Sequence, residues 1–261
     1  GNKMEKQIII ESLFPEIANL FGDRMNIRYL QKCLPNAEFI DTNLTSEPAF
    51  VKKPVSMVYM GPMTESQQEL VIHTLLPYKA AIQQLIENGC IFLLTGNAIE
   101  IFEAYIENED GSRIEGLGIF PNVYAKRNMM ARYNSLILGE YHGIRLVGFK
   151  AQFSHSYGDN QNQYFYKVIR GCGIHPGSLL EGLNKNNFFA TYTVGPFLLL
   201  NPLFIKQLLI LLGIKQPTLA YEDTIMAAYR KRLAEFEKER LKYQEEKRII
   251  QNGTKRNFSN L

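Results

Sequence analysis

The chain has 261 residues, 46% hydrophobic and 21% charged, which is ordinary for a globular protein of one or two domains and excludes a fibre or a disordered chain. A formal charge of +3, with the basic surplus towards the C-terminus, does not point to nucleic acid. Three scattered cysteines, Cys33, Cys90 and Cys172, form neither a disulfide framework nor a zinc-ligand spacing, so reduced thiols and a cytoplasmic setting are expected, with no metal. The N-terminus carries no apolar segment of signal type, and Gly1 is read as the remnant of a cleaved tag. The longest apolar runs are broken by Asn201, Pro202, Lys206 and Gln207, so no membrane span is expected.

In chain order, residues 7–13 read as a buried strand, with Ile8, Ile9 and Ile10 β-branched. Asp23 is placed to cap a helix that ends at Cys33 before Pro35. Residues 37–44 alternate as a strand, and 55–60 form a short apolar run ending at Gly61-Pro62. One long helix is expected over 65–88, with Leu70, Val71, Leu75, Tyr78, Ile82, Leu85 and Ile86 on one stripe and Gly89 ending it. The strand 90–94 then turns sharply at Thr95-Gly96-Asn97 into a helix over 98–106. Such a strand-to-helix corner is where many hydrolases raise a nucleophile towards a helix N-terminus, and Thr95 is the residue raised here. The strand–helix alternation predicts a parallel sheet covered on both faces, with ligands gathering beyond the carboxyl ends of the strands, where Gly61 and Thr95 lie.

Beyond a turn at 108–112, residues 116–173 read as shorter strands separated by glycines, the clearest at 144–149 and 164–169. One domain with an added antiparallel portion, over residues 5–217, is more economical than two. An apolar helix over 203–212 follows. A last helix over 218–250 places Met226, Tyr229, Leu233, Phe236 and Tyr243 at spacings of three and four, with Arg240 interrupting, and residues 251–261 are expected to be a disordered tail.

Four blocks resemble class I glutamine amidotransferases of the cobyric acid synthase (CobB/CobQ) type, and among them GatD-like subunits that supply ammonia to a Mur-ligase-like partner in cell-wall precursor amidation. The first is Leu13-Phe14-Pro15 with Asn19-Leu20-Phe21-Gly22-Asp23-Arg24-Met25-Asn26-Ile27. The second is Tyr59-Met60-Gly61-Pro62-Met63-Thr64-Glu65-Ser66-Gln67, similar to the loop whose backbone N–H groups hold the oxyanion in active members. The third is the Thr95-Gly96-Asn97 corner, and the fourth runs from Asn187 through Thr191-Tyr192-Thr193-Val194-Gly195-Pro196 to Asn201-Pro202. The resemblance implies a three-layer α/β fold, flavodoxin-like, with a mainly parallel sheet, and a ligand site at Gly61, Gly96 and Asn97 for glutamine or a related small molecule. It implies no cofactor and, as partner, a Mur-ligase-like synthetase subunit.

The same matching puts Thr95 where the family has its nucleophilic cysteine and Val194 where it has the catalytic histidine, while Pro62 removes one possible oxyanion donor. Losing a nucleophile or a base typically removes on the order of three to six powers of ten in rate. A glutaminase-inactive binding or regulatory subunit is therefore expected, in a cell-wall or a cobalamin-like pathway. The alternative is an amidohydrolase that uses Thr95 with His155, or Cys172 with His175. Thr95 is β-branched and ill-suited to a left-handed corner, so a relaxed backbone is expected there. Cys33 and Cys90 are expected in the core, and His73 and His142 in structural or solvated roles. Glu100 and Glu103, which share a helical face, and the run Lys126-Arg127-Asn128 with Arg132-Tyr133-Asn134 are expected to face solvent, the alternatives being a rim role and an acidic ligand.

Overall fold

The structure is a computed structural model and describes residues 1–259, apart from the side chains of residues 239–241, 243 and 257–259. The first half alternates strand and helix: β1 (Ile9–Leu13), α1 (Met25–Cys33), β2 (Glu38–Thr42), β3 (Met57–Met60), α2 (Glu65–Leu75), α3 (Lys79–Glu87), β4 (Ile91–Thr95) and the single turn α4 (Ala98–Ile101). Short strands then dominate: β5 (Tyr105–Glu107), β6 (Arg113–Glu115), β7 (Val123–Arg127), β8 (Tyr133–Tyr141), β9 (Ile144–Gln152), β10 (Ser154–Gly158), β11 (Tyr166–Arg170), β12 (Leu180–Glu181), β13 (Leu183–Lys185) and β14 (Phe188–Thr191). Three helices close the chain: α5 (Phe197–Leu200), α6 (Pro202–Leu211) and α7 (Glu222–Ser259).

The central six-stranded sheet has the order β13-β14-β4-β3-β1-β2, parallel throughout except for β13. Its inner strands β3, β4 and β14 are buried on both faces because both are covered. Leu13, Val58, Phe92, Leu94 and Phe188 face a core shared with α2, α3 and α4, while Ile10, Met57, Leu93 and Phe189 face one shared with α1, α5 and α6. Each such side chain contributes roughly 1.5–3 kcal/mol by leaving water. The expected three-layer, mainly parallel architecture is what the chain forms. Two four-stranded sheets, β10-β7-β5-β6 and β12-β11-β8-β9, make up the added, largely antiparallel portion. The β8–β9 hairpin turns through His142-Gly143, both at positive φ, as a two-residue hairpin loop of the primed type requires.

Several boundaries differ from expectation. The helix expected over 65–88 is two helices, because Pro77 cannot donate to an interior hydrogen bond, and a tight turn over Leu76–Tyr78 separates them. Within α2 the buried face runs through Gln68, Val71, Ile72 and Leu75, and Leu70 lies off it and is exposed. The helix expected to reach 106 stops at Ile101, since the backbone N–H of Ala104 donates to Val123 O at 2.9 Å and Tyr105–Glu107 joins β7 as a strand. Asp23 does not cap α1; its side chain is turned inward, and Arg24 stands at the cap position. The last helix lays Tyr229 and Phe236 on Leu138 and Val147 and continues as helix to Ser259, through the region expected as a tail. The steps at Arg240 and Tyr243 lie outside the described residues.

Candidate functional site

The sharp turn beyond β4 is built on Gly96. Thr95 ends the strand, opposite Thr191 of β14, and does not have a positive φ; the left-handed step falls on Gly96 at φ 60°. The relaxed backbone expected at Thr95 is therefore present, and the corner is one residue later than the sequence suggests. A side chain raised at the left-handed position would start from Gly96, where a Cβ would lie 2.5 Å from Cβ of Pro62. Non-bonded carbons do not approach so closely, so the ring of Pro62 packs directly on the bare α-carbon of Gly96.

Asn97 ties this corner to the loop after β3. Its Oδ1 accepts from the Met63 backbone N–H at 3.0 Å and its Nδ2 donates to Met63 O at 2.8 Å. Leu20 N–H donates to Pro62 O at 3.1 Å from the other side, and a Cβ on Gly61 would meet Ala18 O at 2.8 Å. The loop is thus strapped down, and two of its donors are spent: Met63 gives its N–H to Asn97 and Thr64 gives its own to Gln67 Oε1 at 3.4 Å, while Pro62 has none to give.

Thr95 itself is fully buried and donates its hydroxyl to the carboxylate of Asp23, as does Tyr59. Burial lifts the Asp23 carboxyl to about 6 against the pull of the hydrogen bonds from Thr95, Tyr59 and Asn26. Val194 is buried and exchanges both backbone hydrogen bonds with Phe149. His155, on β10, is half-buried; its Nδ1 lies 3.3 Å from Gln152 Nε2 and its ring meets Tyr133 edge-on. Burial, with Lys150 and His175 adding to it, pushes its imidazole down to about 4. The structure therefore groups Gly61, Gly96 and Asn97 at one corner, with Thr95 beneath it and engaged with Asp23, and leaves His155 with partners of its own on β10. His175 accepts the Gly177 N–H at 3.1 Å and stacks on Tyr157, while Cys172 is buried.

A cavity of about 210 Å³ opens at this corner, beyond the carboxyl ends of β3 and β4, lined on one side by Pro62, Met63, Gly96 and Asn97 and on the other by Gln152, Ser154 and Tyr192. Behind Tyr192 runs a buried acid network that the sequence did not reveal. Tyr192 donates to Glu100 Oε2 at 2.6 Å, and Gln68 Nε2 donates to Glu100 Oε1 at 2.9 Å. Arg127 in turn donates to Gln68 Oε1 at 2.8 Å. Ser156 Oγ lies 2.8 and 2.6 Å from the two Glu103 oxygens and 2.7 Å from Tyr192 Oη. Burial raises the pKa of both carboxyls, that of Glu103 well above the ordinary range with Glu100 adding to it, so Glu103 holds its proton.

The expectation that Glu100 and Glu103 face solvent is thus corrected: both are fully buried, because α4 sits under the small sheet. Arg127 is likewise structural, part of β7 rather than of a solvated loop. Gln68 gave no sequence signal, being a single polar residue in a helical pattern, and Tyr192 stood in the fourth matched block with no role assigned to it. A second buried pair, Lys150 Nζ to Glu181 Oε1 at 2.6 Å, is completed by Cys172 O and Gly173 O on the lysine side and by Thr191 Oγ1 and Tyr192 N–H on the glutamate side. Among the described residues no cluster of three or more His, Cys, Asp or Glu is placed to hold a metal ion, and no helix is long and apolar enough to cross a membrane.

A mainly parallel sheet between helix layers, with a sharp strand-to-helix corner at its carboxyl edge, is the fold of glutamine amidotransferases. A solved glutamine amidotransferase matches over 78% of this chain and 99% of its own, with a TM-score of 0.50 and 10% identity, a likeness of fold. In sequence the chain is similar to GatD of Streptococcus pneumoniae, a subunit of lipid II isoglutaminyl synthase (glutamine-hydrolyzing), with 23% identity over 199 residues, 74% of this chain and 75% of that one. No protein-family model matches the chain.

Proposed function

We propose that this protein is a glutamine amidotransferase-like subunit that has given up glutamine hydrolysis and keeps the cavity at the Gly96 corner as a binding or regulatory site. Amide hydrolysis on this fold requires a nucleophile, a base to take its proton and donors for the oxyanion. The observation that carries the reading is at Thr95, the position matched to the nucleophile: its side chain is fully buried, its hydroxyl is donated to the Asp23 carboxylate, and its backbone lacks the positive φ of a raised nucleophile. Val194 has no titratable group, and the Met63 and Thr64 N–H groups of the loop are engaged. Since the similar S. pneumoniae protein is a synthase subunit, we place this chain beside a synthetase partner of Mur-ligase-like kind, in cell-wall precursor chemistry rather than a cobalamin-like pathway.

The test is ammonia release from L-glutamine by the purified chain, alone and mixed with a Mur-ligase-like synthetase from the same source. No release above that of the Thr95→Ala variant is expected. Release that disappears in Thr95→Ala would overturn the reading in favour of an amidohydrolase, and release that disappears in His155→Ala or Cys172→Ala would identify the base or nucleophile used instead.

A further inference from the structure

A second crevice opens beside β1, the strand at which the order of the central sheet reverses, with β2 on one flank and β3 on the other. In open α/β sheets such a reversal leaves room for a ligand near the carboxyl ends of the strands. The floor of the crevice is a row across three strands, Asp41 of β2, Ser12 of β1 and Tyr59 of β3, which stand beside one another in register. The Tyr59 hydroxyl is already given to Asp23. Ser12 is not so engaged. It follows Ile8 and Ile10 on the face that α1 covers, as strand alternation requires, and it is 5% exposed. Its hydroxyl makes no hydrogen bond with any described residue, yet it is not sealed away and keeps accessible surface in the crevice it lines. Opposite this floor stand Arg24, at the cap of α1, and Arg28, one turn further on. Like charges at this spacing repel. Arg24 Nη2 lies 3.9 Å from Asp41 Oδ2, with both side chains about half exposed, and Arg28 has no ion pair or hydrogen bond with a described residue. Two cations, one acid and an idle hydroxyl therefore surround about 80 Å³, the room of about two or three waters.

We propose that this crevice binds hydrogen phosphate, with Arg24 and Arg28 donating charge-assisted hydrogen bonds to its oxygens, Ser12 donating its hydroxyl to a third, and Asp41 accepting from the P–OH. The acid makes the choice specific. Sulfate has the same shape but carries no proton at neutral pH, so it sets a bare oxygen against the Asp41 carboxylate. A phosphate monoester has largely lost its last proton there as well. The site is separate from the Gly96 corner and stands whether or not that corner hydrolyses glutamine.

Titration calorimetry on the full chain at neutral pH, with inorganic phosphate, sulfate and phenyl phosphate as probes, tests this. Phosphate is expected to bind, with sulfate and phenyl phosphate each weaker by roughly tenfold or more, the effect of one lost hydrogen bond to a charged group. Arg28→Gln changes an exposed side chain without partners, so it should leave the urea midpoint in place while weakening phosphate by roughly tenfold. Ser12→Ala should weaken phosphate as well. Asp41→Asn, which puts an amide donor where the acceptor stood, should bring sulfate level with phosphate or above it. No phosphate binding to the parent chain, sulfate or phenyl phosphate bound as tightly as phosphate, phosphate binding unchanged in both Arg28→Gln and Ser12→Ala, or sulfate still rejected by Asp41→Asn would each overturn the proposal.

Discussion

The hydroxyl of Thr95 is donated to the carboxylate of Asp23, so the last residue of β4 is fastened to the loop that precedes α1. Tyr59, from β3, reaches the same carboxylate, and the three side chains join the ends of two central strands to the 19–24 segment. Replacing Thr95 by Val keeps its shape but removes the donor, which is expected to cost about 1–3 kcal/mol in urea unfolding. Thr95→Cys should fold and still release no ammonia. Gly96→Cys should lose more stability, since it combines a left-handed backbone, about 1–3 kcal/mol, with the Pro62 collision. A Gly96→Cys variant as stable as the parent would disprove the packing described for this corner.

Acidity should act through Asp23. Its carboxyl rises from about 4 in the unfolded chain to about 6 in the fold, so between those values the native state holds a proton that the unfolded state has lost. Stability from this group is full below pH ~4 and lost as pH rises through ~6, a change of up to ~3 kcal/mol. Asp23→Asn is therefore expected to be more stable than the parent at pH 7.5, with the advantage shrinking at pH 4.5, as read by urea midpoints. His155 works in the opposite sense. Its folded value of about 4 lies below the ordinary 6.5, so its contribution is present above pH 6.5 and lost as pH falls towards 4. In the Asp23→Asn background, His155→Gln should flatten the remaining acid-side slope, and an imidazole NMR titration with a midpoint near 6.5 would refute the burial argued for this ring.

The Lys150–Glu181 pair is fully buried on both sides. Lys150→Met should cost about 3–5 kcal/mol because it strands a buried carboxylate, whereas Lys150→Met with Glu181→Gln, which keeps an acceptor for Thr191 and the Tyr192 N–H, should recover a large part of that. A double-mutant cycle in urea measures the coupling. Simple additivity of the two substitutions would show that the pair does not act as a unit.

All three thiols are buried, and burial pushes the Cys90 thiol up to about 12. Thiol reagents at pH 8 should leave the native protein unlabelled and modify three cysteines once it is unfolded. Rapid native labelling of Cys172 would revive its pairing with His175.

The strands of the central sheet were legible because their apolar runs, Ile8 to Ile10 and Cys90 to Leu94, need no tertiary knowledge to interpret. Gly61, Gly96 and Asn97 were legible as a corner for the same reason, since glycine beside a strand end marks a turn. The Pro77 break and the early end of α4 were missed because helical periodicity persists through both. Glu100, Glu103 and Arg127 carry charges that argue for solvent in isolation, and their burial depends on partners such as Tyr192, Ser156 and Gln68, distant in sequence or silent in pattern. Lys150 was invisible for the same reason: only Glu181, thirty-one positions on, makes its burial tolerable.

The contact between Pro62 and the bare α-carbon of Gly96 also couples the turn after β3 to the turn after β4. A side chain added at Gly96 has to displace the ring of Pro62, so the wall that these two turns share along the cavity can only be reshaped from both sides together.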